Sequence, residues 1–494
     1  MPNPMSNLID HTSPFRAVGP VVPVVHRADP TAWRQRVVNY AAKRYVDMMF
    51  VTGLDRATAD RHFPQRPAPD PGGLSNEAVP PSYAPFVEAA WAAGQIVVAD
   101  DAPDRRITVT WSDPAFDAPV VGSAIARPGY GGILLGPHAA PSFDPAPLRR
   151  SARAEAAWPR GDRGVAPRPG PALSAAADAF LAGSPGLYGV MVATPQSVLL
   201  ERSGAHGAAD RPTPSWSMTK AVTCTLIGRM IQEGWLPHVH DPAPAPLWRD
   251  PRAIHRLITL DHLLRMRSGL GMPTMDGAGR SGLAFENSLV YSNAEDAFET
   301  AQRMLVATVP GSVYRYINAG INVLGAIIRD QLERRGMPYH QSVYGLLADR
   351  IGMTSYQHSA DLAGNFIASG SGFGVMRDYA RLGLLYVQDG VWNGERLLPE
   401  GWADYALSPS HTGSAYAACF RSNMDATFPS LPGDAAWAAG ASDQKVIILR
   451  QHGLVIVTTN ETDHPIDVPA LDRLAAAAIA EAGLPAEGLR TAAE

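Results

Sequence analysis

Residues 173–494 carry strand patterns at both ends and helical patterns between them. Residues 188–194 and 197–204 predict a β-hairpin, and three consecutive strand patterns follow near the C-terminus at 435–442, 444–450 and 453–461. Helical periodicity recurs at 217–234, 260–267, 294–306, 319–335, 376–388 and 467–482. Because a strand must pair to satisfy its backbone, this order predicts one sheet closed by both ends of the region, with a helical lobe inserted between them.

The first 172 residues are patterned differently. Residues 31–50 predict a helix, and four short strand patterns follow at 96–99, 106–111, 120–126 and 131–135. Residues 141–172 are rich in Pro, Arg and Ala, a composition typical of a semi-extended linker. The sequence therefore predicts an N-terminal extension over 1–140, to which no chemistry is assigned, a linker over 141–172 and a main domain over 173–494.

Charge and composition argue against several classes of partner. The formal net charge is −5 and no long run of like charges occurs, which does not favour nucleic acid or a membrane surface as a partner. No apolar stretch reaches 18 residues and the N-terminus lacks a signal-peptide pattern, so we expect a cytoplasmic location. The two cysteines cannot build a disulfide framework.

Lysine is rare in this chain. Of the 42 basic residues only Lys43, Lys220 and Lys445 are lysines. A GC-rich genome would account for the arginine bias, but the bias also draws attention to the lysines that remain. Arginine keeps its proton in proteins whereas a buried lysine can release one, so a catalytic base of this type is a lysine.

Two of the lysines have a serine three residues before them. Ser217 begins a predicted helix, and residues i and i+3 of a helix share a face, so Lys220 can reach the Ser217 hydroxyl. The N-terminal end of a helix also favours negative charge. Ser442 and Lys445 fall at the start of a predicted strand, where an odd offset puts side chains on opposite faces. The spacing favours Ser217 and Lys220 as a catalytic pair.

Four blocks occur in the order typical of one enzyme family. They are Ser217-Met218-Thr219-Lys220, residues 258–270, Tyr316-Ile317-Asn318 and residues 369–402. The first resembles the S-x-x-K element of the serine β-lactamases and penicillin-binding proteins, and the third resembles the Y-x-N element of their class C branch. Within this family the chain is most similar to 6-aminohexanoate-dimer hydrolases and β-lactamase-like esterases. The resemblance implies an α/β fold, with an antiparallel sheet flanked by helices plus a helical lobe.

The resemblance also implies a reaction. A serine hydrolase of this kind cleaves a small-molecule amide or ester through an acyl-enzyme, here on Ser217, with Lys220 and Tyr316 as the proton-transfer groups. Which of the two is the formal base stays open. No metal or other cofactor is implied. A transacylase on the same fold and a catalytically silent binding protein are the alternatives, and the sequence leaves a homo-oligomer open.

The family's third motif lies on a strand near the C-terminus. His411-Thr412-Gly413 matches it literally, but only residues 437–444 are followed by strand, turn, strand and helix. In that alignment the backbone N–H groups of Ser217 and Ala441 form the oxyanion hole, and four residues contact substrate: Asn318, Gly440, Ser442 and Asp443. The carboxylate of Asp443 either selects a cationic substrate or points to solvent.

This third motif departs from the β-lactamase pattern. Ala438 and Ala439 stand where a Lys-Thr pair would hold a substrate carboxylate, so we expect β-lactams to be poor substrates. A second superficial motif, His238-Val239-His240-Asp241, lacks the further ligands that a hydrolytic zinc site needs.

Overall fold

A computed structural model of the chain describes residues 30–62, 84–271, 289–293, 295–409, 414–460 and 464–483. The rejected His411-Thr412-Gly413 motif lies outside these residues. Within the described residues, no helix is both long and apolar enough to cross a membrane.

The N-terminal part of the chain forms a helical layer against a small sheet. Its helices are α1 (Pro30–Val46), which continues into a π-helical turn (Asp47–Val51), α2 (Arg56–His62) and α3 (Ala84–Ala92). Its strands are β1 (Ile96–Asp101), β2 (Arg106–Trp111), β3 (Val120–Ala126) and β4 (Gly132–Gly136), which pair in sequence order as an antiparallel sheet. These strands agree with the four patterns read from the sequence. Apolar residues of α1, β2 and β3 form one core cluster, which also includes Tyr188 and Phe373 from the rest of the chain.

Residues 137–170 follow the surface of the remaining chain. They include two short parallel strands, β5 (Ala154–Ala157) and β6 (Gly161–Arg163). The guanidinium of Arg150 donates to the carboxylate of Asp349 at 2.8 Å and to the backbone carbonyl of Met353 at 3.1 Å. The indole N–H of Trp158 donates to the carbonyl of Thr194 at 2.8 Å. This segment has the composition of a linker, but side-chain hydrogen bonds from Arg150 and Trp158 hold it against the rest of the chain.

The rest of the described chain forms one large sheet, two smaller sheets and a helical lobe. The strands are β7 (Leu187–Ala193), β8 (Val198–Ser203), β9 (Thr213–Trp216), β10 (Gln357–His358), β11 (Gly372–Gly374), β12 (Val391–Trp392), β13 (Glu395–Arg396), β14 (Arg421–Ser422), β15 (Ala436–Gly440), β16 (Gln444–Leu449) and β17 (Leu454–Asn460). The helices are α4 (Pro171–Gly183), α5 (Thr219–Gln232), α6 (Leu260–Leu264), α7 (Ala297–Gln302), α8 (Asn318–Glu333), α9 (Tyr339–Val343), α10 (Met376–Val387), α11 (Trp402–Leu407) and α12 (Val468–Ala482).

The large sheet is antiparallel and draws strands from both ends of this region. Its order is β14-β15-β16-β17-β7-β8, so the strand that follows α4 pairs with the strand that precedes α12. This arrangement confirms the α/β fold with a sheet closed by both ends.

Helices cover both faces of the sheet. Successive side chains of a strand point to opposite faces. Val446 and Ile448 accordingly join the core cluster of the helical lobe, whereas Ile447 and Leu449 join the cluster with α4 and α12. Because β16 is buried on both faces, its last four residues, 446–449, are all apolar.

Candidate active site

The predicted nucleophile lies in a turn between a short strand and a buried helix. Ser217 follows β9 and precedes α5 by one residue, and this segment, residues 213–220, is called the catalytic turn below. Twelve residues of α5 are buried, so the helix is held on nearly all sides. Within the turn the Ser215 hydroxyl donates to the carbonyl of Gly372 at 2.9 Å and lies 2.7 Å from the Thr219 hydroxyl. The turn is thereby tied to β11.

Lys220 lies in the first turn of α5, where the i, i+3 spacing placed it. Its Nζ atom is 2.8 Å from Ser217 Oγ and donates to the backbone carbonyl of Ser369 at 2.6 Å. Only 1% of the residue is exposed. A buried amine within hydrogen-bond distance of a serine hydroxyl is the arrangement that nucleophilic activation requires.

The loop that carries Ser369 is itself fixed by hydrogen bonds. Ser369 Oγ lies 2.9 Å from the phenol oxygen of Tyr291 and accepts from the Asn322 side-chain amide at 3.0 Å. The Asn322 carbonyl oxygen accepts from the backbone N–H of Ala368 at 3.1 Å. Sequence reasoning missed Ser369, Tyr291 and Asn322. The glycine-rich run at 369–374 was the available signal, since it indicates a close approach of backbone.

The ring of Tyr316 lies beside Lys220. Lys220 Nζ lies 4.9 Å from the centroid of the Tyr316 ring, a cation–π distance. The ring of Tyr416 meets the Tyr316 ring edge-on, at 5.8 Å between centroids and 86° between planes. Burial raises the pKa of the neighbouring Tyr314 to about 12, so that phenol stays neutral at neutral pH. The structure therefore brings Tyr316, from the irregular segment before α8, beside Lys220 and its partner Ser217.

Asn318 and Gly440, two of the predicted substrate contacts, belong to two different elements. Asn318 is the first residue of α8 and is 3% exposed. Gly440 ends β15, and a Cβ atom there would lie 2.3 Å from the carbonyl oxygen of Ser215. Only glycine permits this approach, which sets the strand end before Ala441 against the strand that precedes Ser217. The proposed oxyanion role of Ala441 remains a prediction.

The turn at 441–443 differs from the expectation for it. Ser442 and Asp443 lie in this turn with φ of 58° and 61°, and β16 begins only at Gln444. The argument that Ser442 and Lys445 point to opposite faces of one strand was therefore wrong in its premise. The left-handed backbone of Ser442 belongs to a tight hairpin turn and not to a strand. The amine of Lys445 instead donates to the Asp443 carboxylate at 2.7 Å. That ion pair compensates the charge of Asp443, an arrangement that neither expectation for its carboxylate included.

The histidine-rich loop at 238–241 is organised by hydrogen bonds within the loop. The backbone N–H of His238 donates to the Asp241 carboxylate at 3.0 Å, and the rings of His238 and His240 are 5.2 Å apart. Among the residues that the structure describes, no group of three or more His, Cys, Asp or Glu side chains could hold a metal ion. Cys224 and Cys419 are free thiols, both buried.

Comparisons with known proteins identify a family and solved structures that this chain resembles. The family model described as Beta-lactamase matches residues 173–481, which is more than half of the chain. A solved structure from Bacillus anthracis, named as a 6-aminohexanoate-dimer hydrolase, is 20% identical with a TM-score of 0.51, and the match covers 61% of this chain and 81% of that one. A family VIII carboxylesterase is 17% identical with a TM-score of 0.46, covering 64% and 98%. A comparison with curated proteins found no similar sequence.

Proposed function

The chain belongs to the β-lactamase family, and on that premise we propose that it is a serine hydrolase that cleaves a linear amide or ester through an acyl-enzyme on Ser217. One observation carries the proposal. The buried Nζ atom of Lys220 lies 2.8 Å from Ser217 Oγ and is held from behind by the Ser369 carbonyl. This geometry supports proton removal from the hydroxyl without a histidine.

In the acylation step Ser217 Oγ attacks the carbonyl carbon of the substrate. The hydroxyl proton passes to Lys220 or through Tyr316, and the carbonyl oxygen takes up the negative charge of the tetrahedral intermediate. The backbone N–H groups of Ser217 and Ala441 would stabilise that charge. When the intermediate collapses, the bond to the leaving group breaks and the leaving alcohol or amine receives the proton.

Deacylation reverses these roles. A water molecule attacks the carbonyl carbon of the acyl-enzyme and gives a proton to the same basic group. The bond between that carbon and Ser217 Oγ then breaks, the basic group returns the proton to Oγ, and the carboxylic acid product leaves. Ser217 recovers its proton, so the cycle closes with one water consumed.

Two features support a neutral substrate. Ala438 and Ala439 supply no cationic or hydroxyl side chain for a substrate carboxylate. The charge of Asp443 is compensated by Lys445 at 2.7 Å, so this residue does not favour a cationic group. In this proposal Asn318, Gly440 and Ser442 line the cleft beside the acyl carbonyl.

Intact mass spectrometry tests the proposal directly. The protein is incubated with a fluorophosphonate and with a panel of short esters, linear amides and β-lactams. We expect one phosphonyl adduct per chain, which is absent from Ser217→Ala. If the wild-type protein forms no adduct and turns over no member of the panel, the proposal is wrong.

A further inference from the structure

The residue before the nucleophile has an unusual backbone conformation. Trp216 has φ of 44°, in the left-handed region that a bulky side chain rarely adopts. Such a conformation costs on the order of 1–3 kcal/mol and persists only where the surroundings hold it in place. Because Trp216 directly precedes Ser217, its conformation decides where the Ser217 hydroxyl points.

The backbone of Trp216 is held on one side by β11. Trp216 is paired with Gly372 in the register of β9 and β11, which is irregular at this point. The indole N–H of Trp216 is buried and finds no hydrogen-bond acceptor among the described residues. The Trp216 ring is therefore not oriented by a hydrogen bond from its indole N–H to any of the described residues.

The side chain of Trp216 contacts the N-terminal extension through one face of its ring. The guanidinium carbon of Arg44, on α1, lies 4.9 Å from the centroid of the ring. Both residues are half-buried, and both line a small cavity with Tyr291 and Ser371. A cation over the face of a tryptophan is the strongest pairing of this kind.

Helix α1 is anchored beside Arg44. Lys43 is buried, forms an ion pair with Asp47 and donates to the hydroxyl of Ser359 at 2.9 Å. One turn earlier, the Asn39 side-chain amide donates to the carbonyl of Ser292 at 2.8 Å. These contacts join the N-terminal extension to the main domain at 173–494. They therefore fix the position of Arg44 relative to Trp216.

We propose that Arg44 is a positioning residue, which holds Trp216 in its left-handed conformation and so aims Ser217 at Lys220. The catalytic role rests on the proposed hydrolase function, whereas the positioning role does not. On this account the N-terminal extension supplies a residue that positions the nucleophile, although the match to the β-lactamase family begins only at residue 173.

Three variants of the full-length protein test this role. Arg44→Met removes the charge but keeps the length of the side chain, and Arg44→Lys keeps a cation at the ring. Arg335→Met is the matched control, because Arg335 lies 4.7 Å from the ring of Trp235 in an arginine–tryptophan pair outside the site. For each protein we would measure kcat and KM on a p-nitrophenyl ester. Hydrogen exchange of the peptide covering residues 213–220 would be followed in parallel.

We expect Arg44→Met to lower kcat about tenfold with KM unchanged within about twofold, because ground-state binding does not involve Arg44. Exchange should accelerate in the catalytic turn, where the backbone N–H groups of Met218 and Lys220 donate to Ser215 and Ser217 at 3.0 Å each. Arg44→Lys should restore most of both properties, and Arg335→Met should match the wild type.

Wild-type kcat and exchange in Arg44→Met would overturn the proposal. So would a loss of kcat accompanied by faster exchange throughout α1 and its sheet, since that result indicates a general loss of stability. If the wild-type protein hydrolyses nothing, the proposed function fails, and the exchange of the catalytic turn alone still decides whether Arg44 positions Trp216.

Discussion

Lys220 Nζ donates to the backbone carbonyl of Ser369 at 2.6 Å while it lies 2.8 Å from Ser217 Oγ. The carbonyl comes from a loop that Tyr291 and Asn322 fix through the Ser369 hydroxyl. The amine is therefore held between the Ser217 hydroxyl and a backbone acceptor whose loop is itself fixed. In the proposed mechanism, this restraint takes the place of the carboxylate that orients a histidine in Ser-His-Asp hydrolases.

Ser217→Ala should abolish ester turnover while leaving the fold intact, because it removes only the side-chain hydroxyl. Ser442→Ala is the comparison variant, because Ser442 lines the proposed cleft but its neighbouring lysine, Lys445, is engaged with Asp443. We expect its rates to change only modestly. The measurement is kcat/KM on p-nitrophenyl butyrate, with circular dichroism to check folding. Residual activity of more than a few per cent in Ser217→Ala, or equal losses in both variants, would contradict the assignment.

Lys220→Arg should be nearly as damaging as Ser217→Ala. Arginine preserves the charge but cannot accept the proton of the Ser217 hydroxyl. Its planar guanidinium also does not fit a site that is 1% exposed. Single-turnover kinetics should show loss of the acylation step itself. An acylation rate within about tenfold of the wild type would exclude Lys220 as the base.

Tyr316→Phe separates the two groups proposed for proton transfer. The substitution keeps the ring that lies 4.9 Å from Lys220 Nζ but removes the phenol. If the phenol shares the proton, kcat should fall by orders of magnitude, about 100-fold or more. The pH profile of kcat/KM is measured for both proteins. A variant as active as the wild type would leave Lys220 as the sole base.

β-Lactams should be poorer substrates than neutral esters or linear amides. Ala438 and Ala439 cannot make the charged hydrogen bond to the β-lactam carboxylate, which is worth about 1.5–3 kcal/mol. Its absence should lower kcat/KM by roughly 10- to 100-fold. We would compare kcat/KM for nitrocefin, a butyrate ester and a linear aminohexanoyl amide. A preference for nitrocefin would mean that another side chain holds the carboxylate.

The stability of the protein should depend on His358 at acidic pH. Burial, and secondarily Arg150, lowers the pKa of His358 to about 3. The folded protein then excludes a proton that the unfolded chain binds below about 6.5. The His358 contribution is thus complete above pH 6.5 and is lost as the pH falls toward 3, at about 1.4 kcal/mol per pH unit.

Urea unfolding of the wild type and of His358→Phe at pH 7.5 and 5.5 measures this contribution. Phenylalanine keeps the stacking on Phe366, where the rings are 5.2 Å apart. Taking the difference between the two proteins removes other groups, including Asp361, whose pKa burial raises to about 7 and whose contribution has the opposite sign. The wild type should lose about 1–2 kcal/mol relative to the variant at pH 5.5. An equal difference at both pH values would contradict the prediction.

The sequence by itself determined the features that depend on local periodicity. Helical spacing put Lys220 within reach of Ser217, and strand alternation identified the sheet, since both follow from the fixed geometry of one element. The scarcity of lysine was also informative. Lys43, Lys220 and Lys445 are all buried, and each makes a polar contact with a specific side chain.

Only the tertiary structure decided which distant parts of the chain meet. The Ser369 carbonyl reaches Lys220 across 149 residues, and Arg44 meets Trp216 although they belong to different predicted domains. Ser442 and Asp443 lie in a left-handed turn and Asp443 pairs with Lys445, neither of which the strand pattern indicated. Such contacts depend on how elements pack against each other and on backbone conformations that local periodicity does not encode.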